Sequence, residues 1–202
     1  MPLFHNNQDT PGSEAHPSFS RALVPCRQIT DVSEYRFDDI RPDDHVLDIG
    51  ANVGAFCIRA AYVSRHVVAV EPVTTEILGD NIRTNDVTVT VIKGGLGDGK
   101  PGEIRWDDCS ATVPTYSLKS LIETAGGCDF LKCDCEEAEW LIEPADLAEV
   151  RRIEMELHLP PISGPVNPAL LDYISRYYDL EIERKPCHSA LGVLGILHAE
   201  KR

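Results

Sequence analysis

From His45 onward the chain alternates short β-branched or apolar runs with helical patterns. "HVLDI" is followed by "GAFCIRAAYVS", "VVAVE" by "TTEILGDNIRTN", and then come "VTVTVIK", "DFLKC" with "EEAEWLIEPADLAEV", and "RIEMELHL". Strands this short, joined through helices, make right-handed crossovers and a parallel sheet covered on both faces. The glycine- and proline-broken stretch "GGLGDGKPGEIRWDDCSATVPTYSLKSLIETAGG" predicts a hairpin near 103–116 and a helix from about Ser117 to Thr124. At the end "NPALLDYISRYY" reads as a helix, and "DLEIERK" and "LGVLGILHA" as strands separated by only "PCHSA". A connector that short cannot carry a parallel crossover, so the last two strands pair antiparallel. The expected fold is α/β and Rossmann-like: a mostly parallel sheet with an antiparallel C-terminal strand and helices on both faces.

A chain of 202 residues fits one domain, expected over 21–202 behind a mobile arm, 1–20, that is rich in Pro, Ser, Asn and His. With 33 acidic against 19 basic residues the net charge is -14, which repels phosphate backbones and anionic lipid. Nucleic acid and membrane are therefore not expected partners. No segment approaches the roughly 20 apolar residues of a membrane span, and the N-terminal residues lack signal-peptide blocks, so the cytoplasm is the expected compartment. The seven cysteines form no C-x-x-C pair and read as reduced core thiols. Cys133 and Cys135 flank an acid, Asp134, but two thiols with no second pair are a weak zinc signature.

In "VLDIGANVGAF" the first strand breaks into glycines at its carboxyl end, where open α/β sheets bind ligands. A dinucleotide loop wants G-x-G-x-x-G, and here that frame meets Gly50, Asn52 and Ala55. Asn52 crowds a diphosphate. An acid at the entrance, Asp48, and one polar amide suit S-adenosylmethionine better, because its ends are a zwitterionic amino acid, a sulfonium and an adenosine. Glu71 ends "VVAVEP" at the second strand, where a carboxylate accepts ribose hydroxyls, and Pro72 follows it where an adenine face can lie. The loop also fits a ligand-free strand-to-helix turn, and Glu71 a solvated strand end. The expected cofactor site is Asp48, Gly50, Ala51, Asn52, Gly54, Glu71 and Pro72.

Taken together, "VLDIGANVGAF", "VVAVEP", "NIRTND", "YSLKSLI", "DFLKCDCEEAE" and "IEMELH" resemble the FkbM-type family of class I S-adenosylmethionine-dependent methyltransferases, over roughly 45 to 160. The resemblance implies a seven-stranded sheet with the last strand antiparallel. It also implies methyl transfer to oxygen, often a hydroxyl of a sugar or secondary metabolite. Carried over by position, Asp134, Glu136, Glu139, Glu156 and His158 line or support the reacting pocket. Where the family has V-E-G-A-E this chain has "CEEAE", with Glu137 in place of glycine, which puts the substrate in question more than the cofactor. Little beyond "PPISGPVNP" serves as a lid, so a homo-oligomer whose neighbouring subunit completes the pocket is a further expectation.

Methyl transfer to an alcohol needs alignment of the acceptor and removal of its proton. The expected catalytic set is Asp134, Glu136, Glu156 and His158, with His158 as proton acceptor because an imidazole ordinarily titrates near 6.5. Positions 154, 156 and 158 share one side of a strand. The plainer readings are that His158 bonds the neighbouring loop, that Glu139 favours a helix N-terminus by charge, and that Lys132 pairs with Asp134. The same carboxylates suit Mg²⁺, although no metal is predicted. Two other functions compete: a non-catalytic cofactor-binding sensor or partner subunit, and an NAD-linked oxidoreductase.

Overall fold

The structure, a computed structural model, describes residues 34–106, 109–136, 138–160, 163–184 and 192–202. The expected arm over 1–20, the connector "PCHSA" and Glu137 lie outside the described residues. In chain order the strands are β1 (His45–Ile49), β2 (His66–Glu71), β3 (Thr90–Lys93), β4 (Gly95–Leu96), β5 (Gly102–Trp106), β6 (Cys109–Val113), β7 (Thr115–Tyr116), β8 (Phe130–Cys133), β9 (Arg152–His158), β10 (Tyr178–Glu183) and β11 (Val193–Lys201). The helices are α1 (Ala55–Ala61), α2 (Thr75–Thr84), α3 (Leu118–Ala125) and α4 (Pro168–Tyr177).

Seven strands form one sheet in the order β10-β11-β9-β8-β1-β2-β3. β11 runs antiparallel to both of its neighbours, and the pairings β9–β8, β8–β1, β1–β2 and β2–β3 are parallel. The expected hairpin is present as the antiparallel pair β5–β6. Chain order reverses at β1, which has β2 on one side and β8 on the other, so the crevice between β1 and β8 is the switch point of the sheet.

Strand alternation assigns each side chain to one of two cores. Leu47 and Ile49 of β1, Leu131 of β8 and Ile153, Met155 and Leu157 of β9 pack with Leu118 and Leu121 of α3 and Leu170 and Ile174 of α4. Val46 of β1, Val67 and Ala69 of β2 and Phe130 of β8 pack on the other face with Phe56 and Ile58 of α1 and Leu78 and Ile82 of α2. Helices therefore cover both faces. Caps fix where two of them begin: the Ser117 side chain accepts from Ser120 N, and the Asn167 side chain from Leu170 N.

On the second face the β8–β9 side of the sheet carries Lys132, Arg152, Glu154, Glu156 and His158 where apolar residues would otherwise sit. Segment 34–40 lies against this polar strip. Phe37 stacks on Phe56 with centroids 4.7 Å apart, and Arg36 N donates to Glu154 Oε2 at 3.0 Å. Arg152 Nη2 and His198 Nδ1 close on the two oxygens of the same carboxylate, each at 2.6 Å. The buried Glu154 is thereby surrounded by donors, as a carboxylate away from water must be.

One expected element differs. "EEAEWLIEPADLAEV" forms two 3-10 turns, Ala138–Leu141 and Pro144–Leu147, and not one helix. Glu136 has φ 54, which a helix does not allow, and Pro144 lacks the amide a continuing helix needs. Trp140 also commits its indole N–H to His158 O at 2.8 Å, which draws the first turn onto the end of β9.

Candidate functional site

The glycine loop and the carboxylates after β8 meet at the switch point. Asp134 N donates to Ile49 O at 3.0 Å, and the backbone of Asp134 then runs beside Gly50. A Cβ on Gly50 would fall 1.8 Å from Asp134 O, and its φ is +75, so both contact and torsion demand glycine there. Lys132 Nζ donates to Gly50 O at 2.8 Å and pairs with Asp48 Oδ1 at 3.1 Å. Gly50 N and Ala51 N both donate to Val70 O, at 3.0 and 3.1 Å. Gly54 opens α1 with φ +96.

Asp48 does not stand at the loop entrance as expected. Its side chain is fully buried, with Oδ2 accepting from Cys57 N at 3.1 Å and Oδ1 facing Lys132. Burial pushes its carboxyl up, and the Lys132 charge opposes that shift. Burial works against the Lys132 ammonium too, but Asp48 and Asp134 overcome it and raise the pKa. The pair thus locks the loop between β1, α1 and β8.

Glu71 is the hinge of the loop on its other side. Oε2 accepts from Asn52 N at 2.8 Å, and Oε1 accepts from Val73 N and Thr74 N at 2.7 and 2.9 Å. Each carboxylate oxygen has two lone pairs, so these three donors leave acceptor capacity on Oε2. Asn52 itself holds φ 50, in the left-handed region that asparagine tolerates better than most residues. Pro72 sits partly exposed in the turn between Glu71 and α2.

The second half of the site lies at the ends of β8 and β9. His158 is enclosed by carboxylates: Nδ1 is 3.1 Å from Glu139 Oε1, and Nε2 is 3.3 Å from Glu156 Oε2 and 3.5 Å from Glu136 Oε2. Glu139 Oε1 also accepts from His158 N at 2.7 Å. Burial alone would lower the imidazole, but the bonds to Glu139 and Glu156 push it up to about 11. These carboxylates favour the protonated ring, which works against the expected role of His158 as proton acceptor. Burial beside Asp134 pushes the Glu156 carboxyl up to about 7, against the pull of His158. Asp134 is held below the usual carboxylate range, because Lys132 and its hydrogen-bond donors outweigh burial.

The structure thus brings together Asp134, Glu136, Glu156 and His158, and sets the loop from Gly50 to Gly54 beside them. Asp134, Glu136 and His158 each offer a ligand atom within 4.8 Å of the others. Glu139, expected to line or support the pocket or, on the plainer reading, to favour a helix N-terminus, is fully buried and holds the imidazole. Tyr35 was not legible: its hydroxyl donates to Asp134 Oδ2 at 2.8 Å and its ring lies beneath Lys132 Nζ, 5.5 Å from the centroid. It precedes the first strand in a stretch without periodicity, so no local pattern marks it. Among the described cysteines Cys57, Cys128, Cys133 and Cys135 are free thiols, and Cys133 Sγ lies 3.4 Å from Cys135 Sγ. No described helix is long and apolar enough to cross a membrane.

No protein-family model matches the sequence, and no curated protein matches it. Solved structures do resemble it in fold. One is the precorrin-6y C5,15-methyltransferase of Geobacter metallireducens, at 13% identity over 91% of this chain and 94% of that chain, with a TM-score of 0.55. Another is an rRNA methylase from Streptococcus thermophilus, at 10% identity over 80% of this chain and 89% of that chain, with a TM-score of 0.53. The chain has the Rossmann-like fold found in these methyltransferases.

Proposed function

We propose that the protein is an S-adenosylmethionine-dependent methyltransferase of the FkbM type, acting on a hydroxyl oxygen of a small molecule. The observation that carries this reading is Glu71, placed at the end of β2 with its carboxylate stapled to the glycine loop and still able to accept at Oε2. The residues present fit the donor. Glu71 would take a ribose hydroxyl, the Gly50–Gly54 backbone would take the amino-acid end, and the carboxylates beyond Gly50 suit a positively charged sulfonium. When bound, the donor supplies a methyl carbon already activated for displacement.

The chain's own groups then have two tasks. Asp134, steadied by Tyr35, and Glu156 face the crevice and orient the acceptor hydroxyl. Proton acceptance falls to these carboxylates, whose side chains are 29% and 18% exposed, and not to the His158 ring at 2%. His158, held between Glu139 and Glu156, fixes Glu156 in place. A net charge of -14 favours a small acceptor over RNA, although one fold neighbour is an rRNA methylase. The competing NAD-linked reading meets Asn52 and Ala55 where a diphosphate loop has glycines.

The test is turnover with a radiolabelled methyl donor against a panel of hydroxylated small molecules. Once an acceptor is found, Glu156→Gln and Asp134→Ala should each lower kcat by about 100-fold or more, the usual worth of a positioned base, while nucleoside binding persists. Unchanged rates in both variants would remove their catalytic role. No turnover with any acceptor, despite nucleoside binding, would favour the non-catalytic sensor or partner subunit.

A further inference from the structure

The crowding of carboxylates around one imidazole calls for an explanation that methyl transfer by itself does not give. Four acids, Asp134, Glu136, Glu139 and Glu156, converge on His158. The neighbouring cation, Lys132, makes its shorter contacts to Asp48 and Gly50 O and stands 3.8 Å from Asp134 Oδ2. The His158 ring compensates part of this negative charge, and the buried Glu139 with the half-buried Asp134 and Glu156 leave an excess of acids that a further counter-charge would offset.

We propose that Asp134, Glu136 and His158 form a site for a divalent cation of the manganese class, with Glu139 fixing the imidazole from behind. His158 is the observation that separates this cluster from a solvated acidic patch. Its side chain is 98% buried, being 2% exposed, and Nε2 is aimed into the carboxylates. Its other nitrogen is bound to a fully buried glutamate that also holds the His158 main chain. A carboxylate behind the imidazole sets the ring's orientation and tautomer and raises its basicity, which is how metal-ligating histidines are prepared. The cation would take the position of the Nε2 proton, turning a repelling set of acids into ligands.

The donor set narrows the ion. Two carboxylates and one imidazole suit Mn²⁺ better than the all-oxygen sites of Ca²⁺, and among the described residues no thiol belongs to the ligand group to favour a soft ion. Glu156, 3.3 Å from His158 Nε2, stays beside the site as a proton acceptor. The role of the ion rests on the methyltransferase reading: it would hold the acceptor oxygen and ease loss of its proton next to Glu156.

Titration of the chelator-treated full chain with Mn²⁺, followed by the six-line resonance of the free ion, tests the site. One Mn²⁺ per chain should bind. Glu136→Gln, a change at an exposed side chain, and Glu139→Gln, behind the ring, should each weaken binding by about 10- to 100-fold. An undiminished free-ion signal, or variants that bind as the parent does, would overturn the proposal. S-adenosylhomocysteine binding on the same sample separates the two claims. Nucleoside bound without Mn²⁺ overturns the cation site alone, and Mn²⁺ bound without nucleoside supports the site while removing the methyl-transfer reading.

Discussion

At the scale of single residues the site is built from charges that have little freedom. Lys132 and Asp48 are both buried, and each is the other's compensation. Removing one partner of such a pair leaves an uncompensated buried charge, at a cost of about 3–5 kcal/mol. Lys132→Met should therefore lower unfolding free energy by about that amount in a urea titration, and a loss under 1 kcal/mol would mean that Asp48 is solvated or neutral. Asp48, Gly50 and Glu71 were legible in the sequence because strand ends and glycines mark positions. Their partners were not, since Lys132–Asp48 and Glu71–Asn52 join residues 84 and 19 positions apart that only the finished sheet brings together. The same limit explains His158. Its ordinary titration follows from residue type, whereas the state it adopts follows from Glu139 and Glu156 arriving on either side.

Among the elements, segment 34–40 has little sequence signature, yet it reaches the site. Tyr35 reaches Asp134, Arg36 reaches Glu154 and Glu181, and Phe37 stacks on Phe56 of α1. The segment covers the polar face of β8 and β9, whereas α1 and α2 cover the apolar face of β1 and β2. Tyr35→Phe keeps the ring packing and removes one hydrogen bond to a charged acceptor, a difference of about 1.5–3 kcal/mol. Methyl transfer by this variant should slow by about tenfold or more, with a melting temperature lower by about 3–12 °C. An unaltered rate would show that Tyr35 only packs. The strands were readable because β-branched runs between glycines allow few alternatives, and the last two were placed antiparallel by connector length alone. The stretch after β8 was misread as a helix because its apolar spacing suits one, while Pro144 and the pull of His158 O on Trp140 act against it.

Across the whole molecule, the two cores and the order β10-β11-β9-β8-β1-β2-β3 serve one outcome, a crevice between β1 and β8 with the glycine loop on one lip and acids on the other. The fold was visible in the sequence down to the sense of its last strand. The chemistry of the crevice was visible as residue types but not as protonation states or partners. The central claim is that this crevice holds an adenosyl methyl donor by its ribose at Glu71. Calorimetric titration with S-adenosylhomocysteine, on the parent chain and on Glu71→Gln, addresses it most directly. A ribose held by the carboxylate requires saturable binding at one site per chain, weakened by about tenfold or more in the variant through loss of a charged acceptor. Absence of binding, or equal affinity in the two proteins, would contradict it.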